Sequence, residues 1–463
     1  MSELPKGWIT IPLEEISGKS QSINPAAYKD ETFELYSVPS YSEGKAEIVQ
    51  GSAIGSTKQL VEENDILLCK IVPHINRVWV VGPKKEFRQI ASGEWILYRN
   101  HGCNPYYLRY CLMNQTFRLE FLKTVSGVGG SLLRARPAEV KRIAIPLPPA
   151  NEQRRIVEKV DSLLARSARA RDQLAPIPRL VERYKQAVLA KAFSGELTAE
   201  WRHSNRRYGN QNMGEFGLLP DSWKTLTLAE IAHIQTGLAL GKKRDRATNL
   251  ISVPYLRVAN VQRGAIFIDE IKETHVTQKE VDKLALQPND ILMNEGGDRD
   301  KLGRGWVWEG QIPLCIHQNH VFRVRLYDQD FPAKLISYYA NAFGQYFFME
   351  QGKQTTNLAS ISKSKISKLE IPIPPIDEAK EILAKIQSAF AWIDRIAAEQ
   401  TNATKLLGKL DQAVLAKAFR GDLVPQDPED EPASVLLDRI RQERAAQPKA
   451  KRQPRHSSTK PQE

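Results

Sequence analysis

The chain has 463 residues, 41% of them hydrophobic, and a net charge of +12. That length calls for two or three domains with real cores, and the basic balance suits a polyanion such as nucleic acid. No run of eighteen apolar residues exists, the N-terminus MSELPKGWITIPLEEI has no signal-peptide pattern, and four cysteines (Cys69, Cys103, Cys111, Cys315) lack metal or disulfide spacing. A reducing, cytoplasmic location is expected.

Residues 1–145 mix strand-like runs such as Ile66–Ile71 with turn signals, and a helix is predicted to start at Asn104-Pro105. The run Asn104-Pro-Tyr-Tyr107 is similar to the base-holding box of amino-methyltransferases, but the second proline and an upstream glycine-rich cofactor loop are missing. It reads as a helix cap. Ile145-Pro-Leu-Pro-Pro149 then punctuates the chain, and a helix is predicted over Asn151–Leu197, capped by Asn151. Arg154 stands where a capping box would need Glu or Gln. Ile156, Val160, Leu163 and Leu164, then Leu180, Tyr184, Val188 and Leu189, recur at helical spacing as a partner-facing seam. Pro176 and Pro178 should kink or break this helix, and Gly195 should cap its end.

Residues 219–371 again mix strand-like runs, such as His320–Arg325, with a helix starting near Phe331-Pro332. The loop Glu295–Gly305 is glycine-rich and charged, but Gly303-Arg304-Gly305 is not a phosphate-binding Gly-Lys-[Ser/Thr]. Cys315, His317 and His320 lack a fourth ligand at zinc spacing and read as structural. After Ile371-Pro-Ile-Pro-Pro375 a second helix is predicted over Asp377–Leu423, capped by Asp377, with Lys380 at the capping-box position. Its stripe is Ile382, Ile386, Phe390, Ile393, Leu406, Leu410, Val414 and Leu415, it contains no proline, and Gly421 lies at its end. A short helix at Ala433–Ala446 precedes a basic tail, Gln447–Glu463, expected to be disordered.

The second half repeats the first. Gln186–Leu197 (QAVLAKAFSGEL) and Gln412–Leu423 (QAVLAKAFRGDL) agree at ten of twelve positions, at an offset of 226. The proline punctuation keeps that offset, Asn64-Asp-Ile-Leu67 pairs with Asn289-Asp-Ile-Leu292 at 225, and Leu4-Pro-Lys-Gly-Trp8 pairs with Leu219-Pro-Asp-Ser-Trp223 at 215. The helices match closely, whereas the regions before them share only scattered framework positions. Forty-seven helical residues would reach roughly 70 Å, too long to bury a stripe in a small globule. Antiparallel pairing of the two helices, with unlike α+β domains at opposite ends, is the economical solution. No catalytic constellation is visible, and such a chain fits a bipartite reader of a split DNA site.

On the duplicated I-P-[LI]-P-P, the N/D-E helix start and the L-x-Q-A-V-L-A-K-A-F-x-G-[ED]-L end, the chain resembles specificity subunits of type I restriction-modification systems over residues 1–424. Arg183-Tyr-Lys departs from the stricter leucine pattern. The resemblance implies an α+β pseudo-two-fold fold: target-recognition domains at 1–145 and 219–371, coiled-coil helical spacers at 146–218 and 372–424, and a helix with tail at 425–463. It implies a non-catalytic subunit that binds double-stranded DNA, one half-site per domain. Its helices would set the gap and dock two adenine-N6 methyltransferase subunits, with restriction subunits (translocase-nuclease) joining them. S-adenosylmethionine, ATP and magnesium would belong to those partners. The alternative is a free-standing DNA-binding regulator or coiled-coil adaptor.

DNA-contacting candidates are cationic and amide side chains near predicted turns. In the first domain these are Lys70, His74, Asn76, Arg77, Arg134 and Arg136. In the second they are Lys242, Lys243, Arg244, Arg246, Arg299, Lys301, Arg304, Gln354, Thr355 and Asn357.

Overall fold

The structure, a computed structural model, describes residues 4–127, 133–205, 219–241, 249–297, 301–351, 353–354 and 359–446. The expected disordered tail lies outside them. Two compact units divide the chain, one of Met1–Leu174 with Asn402–Glu463, the other of Ala175–Thr401. Each unit therefore combines the body of one copy with the helix end of the other. Among the described residues no helix is long and apolar enough to cross a membrane.

Both bodies are α+β. In the first unit Ile9–Pro12 pairs antiparallel with Ala144–Leu147, so the proline punctuation is an edge of a two-stranded ribbon. A three-stranded sheet (Val78–Val80, Ile66–Cys69, Trp95–Tyr98) and a five-stranded sheet (ordered Ser22–Ile23, Lys58–Leu60, Arg88–Ser92, Thr32–Tyr36, Glu47–Gln50) follow. The second unit repeats the ribbon with Lys224–Thr227 and Glu370–Ile373, and carries a four-stranded sheet containing Ile291–Asn294 and Val321–Leu326. The helices predicted after Asn104 and Pro332 are Pro105–Met113 and Ala333–Ala342. Each is followed by a second, unpredicted one, Gln115–Lys123 and Gly344–Gln351.

The shared Asn-Asp-Ile-Leu has a structural reason. Asn64 and Asn289 take left-handed backbone, φ 69° and 74°, which asparagine tolerates. Asp65 then accepts from the backbone N–H of Glu62 (2.8 Å) and Asp290 from that of Gln287 (2.7 Å), closing the same turn. Each carboxylate receives a two-pronged arginine, Arg99 and Arg325, at 2.6–3.0 Å.

Pro176 does break the first spacer helix. It runs as a first arm, Ala150–Leu174, and a second arm, Ile177–Phe193, while the proline-free counterpart is one long helix, Ile376–Ala418. The helices start one residue earlier than expected. The carbonyls of Pro149 and Pro375 accept the first bonds, from Gln153 (2.9 Å) and Ala379 (2.8 Å), so Asn151 and Asp377 sit in the first turn and are not the caps. Pairing is antiparallel within each unit. In the first, Ile156 and Val160 pack with Val414, Leu415 and Ala418, and Arg171 bonds Asp411. In the second, Leu189 and Ala192 pack with Ile382 and Ile386, and Lys185 reaches Asp394 at 2.5 Å.

The seam is shorter than the periodicity predicts. Val188, Leu189, Val414 and Leu415 are buried, but Leu180, Tyr184, Leu406 and Leu410 are each more than half exposed. Periodicity marks a helix face without saying what covers it.

The helix ends explain why the octapeptide QAVLAKAF, at Gln186–Phe193 and again at Gln412–Phe419, is repeated. Gly195 and Gly421 are left-handed, φ 81° and 82°, and a Cβ on either would collide with a proline ring, Pro220 or Pro5. Those prolines open the Leu-Pro-x-x-Trp motifs of the other copy. Trp223 Nε1 then donates to Glu378 (2.9 Å), which also accepts from Thr198 (2.7 Å) and Arg202. In the first unit Trp8 Nε1 donates to Glu152 (2.9 Å), and Gln426 Nε2 does so at 2.7 Å. Each octapeptide thus locks onto the opposite copy's body.

Candidate nucleic-acid interface

In the first unit the six candidates converge on one edge. Lys70 follows the strand Ile66–Cys69, and its carbonyl accepts from Ala135 N–H at 2.8 Å. Ile71 bridges Arg134, and Val72 N–H bonds the Leu133 carbonyl at 3.0 Å. The 70–77 loop and the 133–136 segment, with its strand Arg134–Ala135, therefore form one surface. Val72 takes φ 46°, a conformation costing a β-branched residue about 1–3 kcal/mol. Such strain persists where the surroundings hold a loop in place.

Their side chains differ in availability. Asn76 Nδ2 donates to the carbonyls of Leu112 (3.4 Å) and Met113 (3.3 Å), so it anchors the loop to a helix end. Lys70 Nζ donates to Gly93 O at 2.6 Å, and Arg77 leans on Cys69 Sγ at 3.8 Å. His74 is exposed. Arg134 pairs with Glu94 at 3.2 Å and Arg136 with Glu139 at 2.6 Å, both at the surface. Exposed pairs of this kind contribute at most about 1 kcal/mol, so a phosphate can displace either carboxylate. Arg118 was missed in the sequence: it holds the His74 carbonyl from 44 residues away, a contact no local pattern signals.

In the second unit three candidates, Lys301, Arg304 and Gln354, lie among the described residues. Gly296–Gly297, at the start of the Glu295–Gly305 loop, pairs with Ala359–Ser360, which pairs with Lys353–Gln354, so these three short strands form one small sheet. Lys301 and Arg304 lie on this loop, half-buried, and the Arg304 carbonyl accepts from Asn294 N–H at 3.0 Å. Gln354 belongs to the strand Lys353–Gln354 of that sheet. Lys242, Lys243, Arg244, Arg246, Arg299, Thr355 and Asn357 lie outside the described residues. Beside the loop, His320 Nδ1 meets Glu295 at 2.7 Å, a pair the sequence reading did not connect.

The motifs read as structural have structural partners. Asn104 Oδ1 accepts from Tyr106 and Tyr107 N–H at 3.0 and 3.1 Å, an N-cap. His317 is buried with Nδ1 against the Val321 carbonyl at 2.7 Å, and burial pulls its pKa down to about 4. Burial pushes the Cys315 thiol up to about 12.

The model of the type I restriction modification DNA specificity domain matches twice, over residues 5–175 and 220–405. The chain is 27% identical over 468 residues to the StySPI specificity subunit of a type I restriction enzyme from Salmonella potsdam, covering 96% of each. It is 28% identical over 329 residues to the EcoKI specificity subunit of Escherichia coli K12, covering 69% of this chain and 68% of that one. Among solved structures, a chain from a type I R-M system described for its complex assembly and conformational transition aligns with TM-score 0.72 at 20% identity, over 91% of this chain and all of that one. The HsdS subunit of Thermoanaerobacter tengcongensis aligns with TM-score 0.58 at 20% identity, over 91% of this chain and 98% of that one.

Proposed function

Because the chain belongs to the family of type I restriction-modification DNA specificity proteins, we propose that it selects the DNA on which partner subunits act, without catalysing a reaction itself. The observation that carries this reading is the duplicated frame, whose spacer helices repeat almost residue for residue while the two heads differ. Unlike heads on one frame read a split, asymmetric target, one half-site each.

In the first head, Lys70, His74, Arg77, Arg134 and Arg136 form the contact edge, and Asn76 holds its loop in place. In the second, Lys301, Arg304 and Gln354 act with Lys242, Lys243, Arg244, Arg246, Arg299, Thr355 and Asn357. Cations position the backbone, and amides and arginines read base edges.

The helices set the gap and dock two copies of an adenine-N6 methyltransferase. Two equivalent exposed sites support two copies: Leu180 and Tyr184 match Leu406 and Leu410 at the 226-residue offset, and all four are solvent-facing. Leu406 and Leu410 flank an apolar groove with Ala170 and Leu174. S-adenosylmethionine, ATP and magnesium belong to the methyltransferase and restriction subunits.

The test is to express the chain with a neighbouring methyltransferase in a host lacking adenine methylation and map N6-methyladenine. One split motif with a fixed gap and one modified adenine per strand is expected. No new methylation, with the partner folded and bound, overturns the reading in favour of a regulator or adaptor.

A further inference from the structure

Both units are built on one frame, yet the Ala433–Ala446 helix packs on the first alone among the described residues. There Ala433, Leu436, Leu437 and Ile440 are buried, and Ala433 N–H bonds the Gly7 carbonyl at 3.0 Å. Arg441 meets Glu15 at 3.0 Å, and Arg444 donates to the carbonyls of Glu14 (3.2 Å), Glu15 and Ser17 (2.6 Å). Ile440 sits against Gly102 so closely that a Cβ there would collide with it.

Backbone register locates the same surface on the second unit. Leu13 and Glu14 donate to Ile143 and Lys141 (3.0 and 2.9 Å), as Leu228 and Ala229 donate to Leu369 and Ser367 (2.8 and 3.0 Å). Glu15 and Ile16 therefore match Glu230 and Ile231. Strand pairing likewise matches Leu147 with Ile373. Ile16 and Leu147 belong to the same core cluster as the helix's Leu436, Leu437 and Ile440 and are 0% exposed, whereas Ile231 and Ile373 are only partly buried. With Leu326 and Phe331 they line a groove of about 220 Å³, and Tyr327 beside it is 64% exposed.

We propose that this groove of the second unit is a docking site for an amphipathic helix of a partner polypeptide, its apolar side followed by arginine or lysine. Charge argues for that occupant. Glu230 stands where Glu15 receives Arg441, and the adjoining loop adds exposed Asp328 and Asp330 where the first unit has the Gly102 corner. The apolar floor matches one that this fold covers with a Leu-Leu-x-x-Ile-Arg helix in its other half. The inference rests on the reading of the chain as one subunit of a larger assembly.

A fluorescent peptide of residues 429–446 carrying Ile440→Ala, since no glycine stands at the matching corner, serves as the probe on the full chain. Saturable one-to-one binding is expected, weakened at least tenfold by Tyr327→Ser or Asp328→Lys and unchanged by Glu15→Gln. Tyr327 and Asp328 are exposed, so these variants keep the fold. Absence of binding overturns the proposal. So does binding that ignores Asp328→Lys and strengthens with Glu15→Gln, which would mean exchange with the resident helix. Target methylation with the partner is read separately: a methylated split motif without peptide binding sinks the groove alone.

Discussion

Glu378 and Glu152 hold matching positions in the two units, but they face different partners. Glu378 is fully buried and faces the buried guanidinium of Arg202, together with the Trp223 indole and the Thr198 hydroxyl. Glu152 faces only neutral donors, Trp8 and Gln426, at hydrogen-bond distance. Replacing each by glutamine keeps the size and one acceptor oxygen. In Glu378→Gln the Arg202 charge loses its counter-charge in the interior, a loss of about 3–5 kcal/mol. In Glu152→Gln no charge is stranded, and the change should stay within about 1 kcal/mol. With a urea slope of roughly 3 kcal/mol/M, Glu378→Gln lowers the midpoint of the second unit by about 1–1.7 M. Urea-dependent hydrogen exchange in peptides covering Trp8 and Trp223 reads the units separately. Equal shifts in the two variants, or a second-unit shift below about 1 kcal/mol, would refute the argument that the Arg202–Glu378 pair locks the octapeptide's end onto the second body.

Three further outcomes are expected. Burial holds the His317 pKa at about 4, below its ordinary 6.5, so the stability of its neutral form is intact above pH 6.5. That stability falls as the pH drops from 6.5 towards 4, by roughly 3 kcal/mol in all; His317→Asn should flatten this limb in a pH series of unfolding midpoints. Leu406→Glu with Leu410→Glu should leave the unfolding midpoint within about 0.5 kcal/mol, because both side chains already face solvent, while abolishing capture of one methyltransferase copy in sedimentation. Arg77→Ala and Arg134→Ala should each weaken DNA binding, and a phosphate contact is revealed by a salt slope lower by about 1; an unchanged slope for both removes them from the interface.

Much of the architecture was legible because it is local. Prolines at 176 and 178 forbid an unbroken helix through the backbone geometry of two residues, and Asn104-Pro105 starts one for the same kind of reason. The duplication announces two like frames wherever a spacing repeats. Helix periodicity marked Leu180, Tyr184, Leu406 and Leu410 as apolar-face residues, but local spacing carries no information on what lies opposite, and in the structure nothing among the described residues buries them.

The candidate interface divides along the same line. Residue type and turn position nominated Asn76 alongside Arg77, but only the fold shows that the Asn76 amide is occupied by the carbonyls of Leu112 and Met113. Arg118 was invisible because its partner, His74, is 44 residues away. Two copies, a break in the first helix at Pro176, and left-handed glycines at 195 and 421 all follow from local pattern, whereas the helices begin one residue before the positions that pattern marks and end at Phe193 and Ala418, short of Leu197 and Leu423. Tertiary structure alone decided that each glycine lies under the other copy's proline, so that each body is completed by the opposite helix end. That exchange depends on contacts between segments far apart in the chain, and the spacing of residues along one segment cannot encode which distant segment it meets.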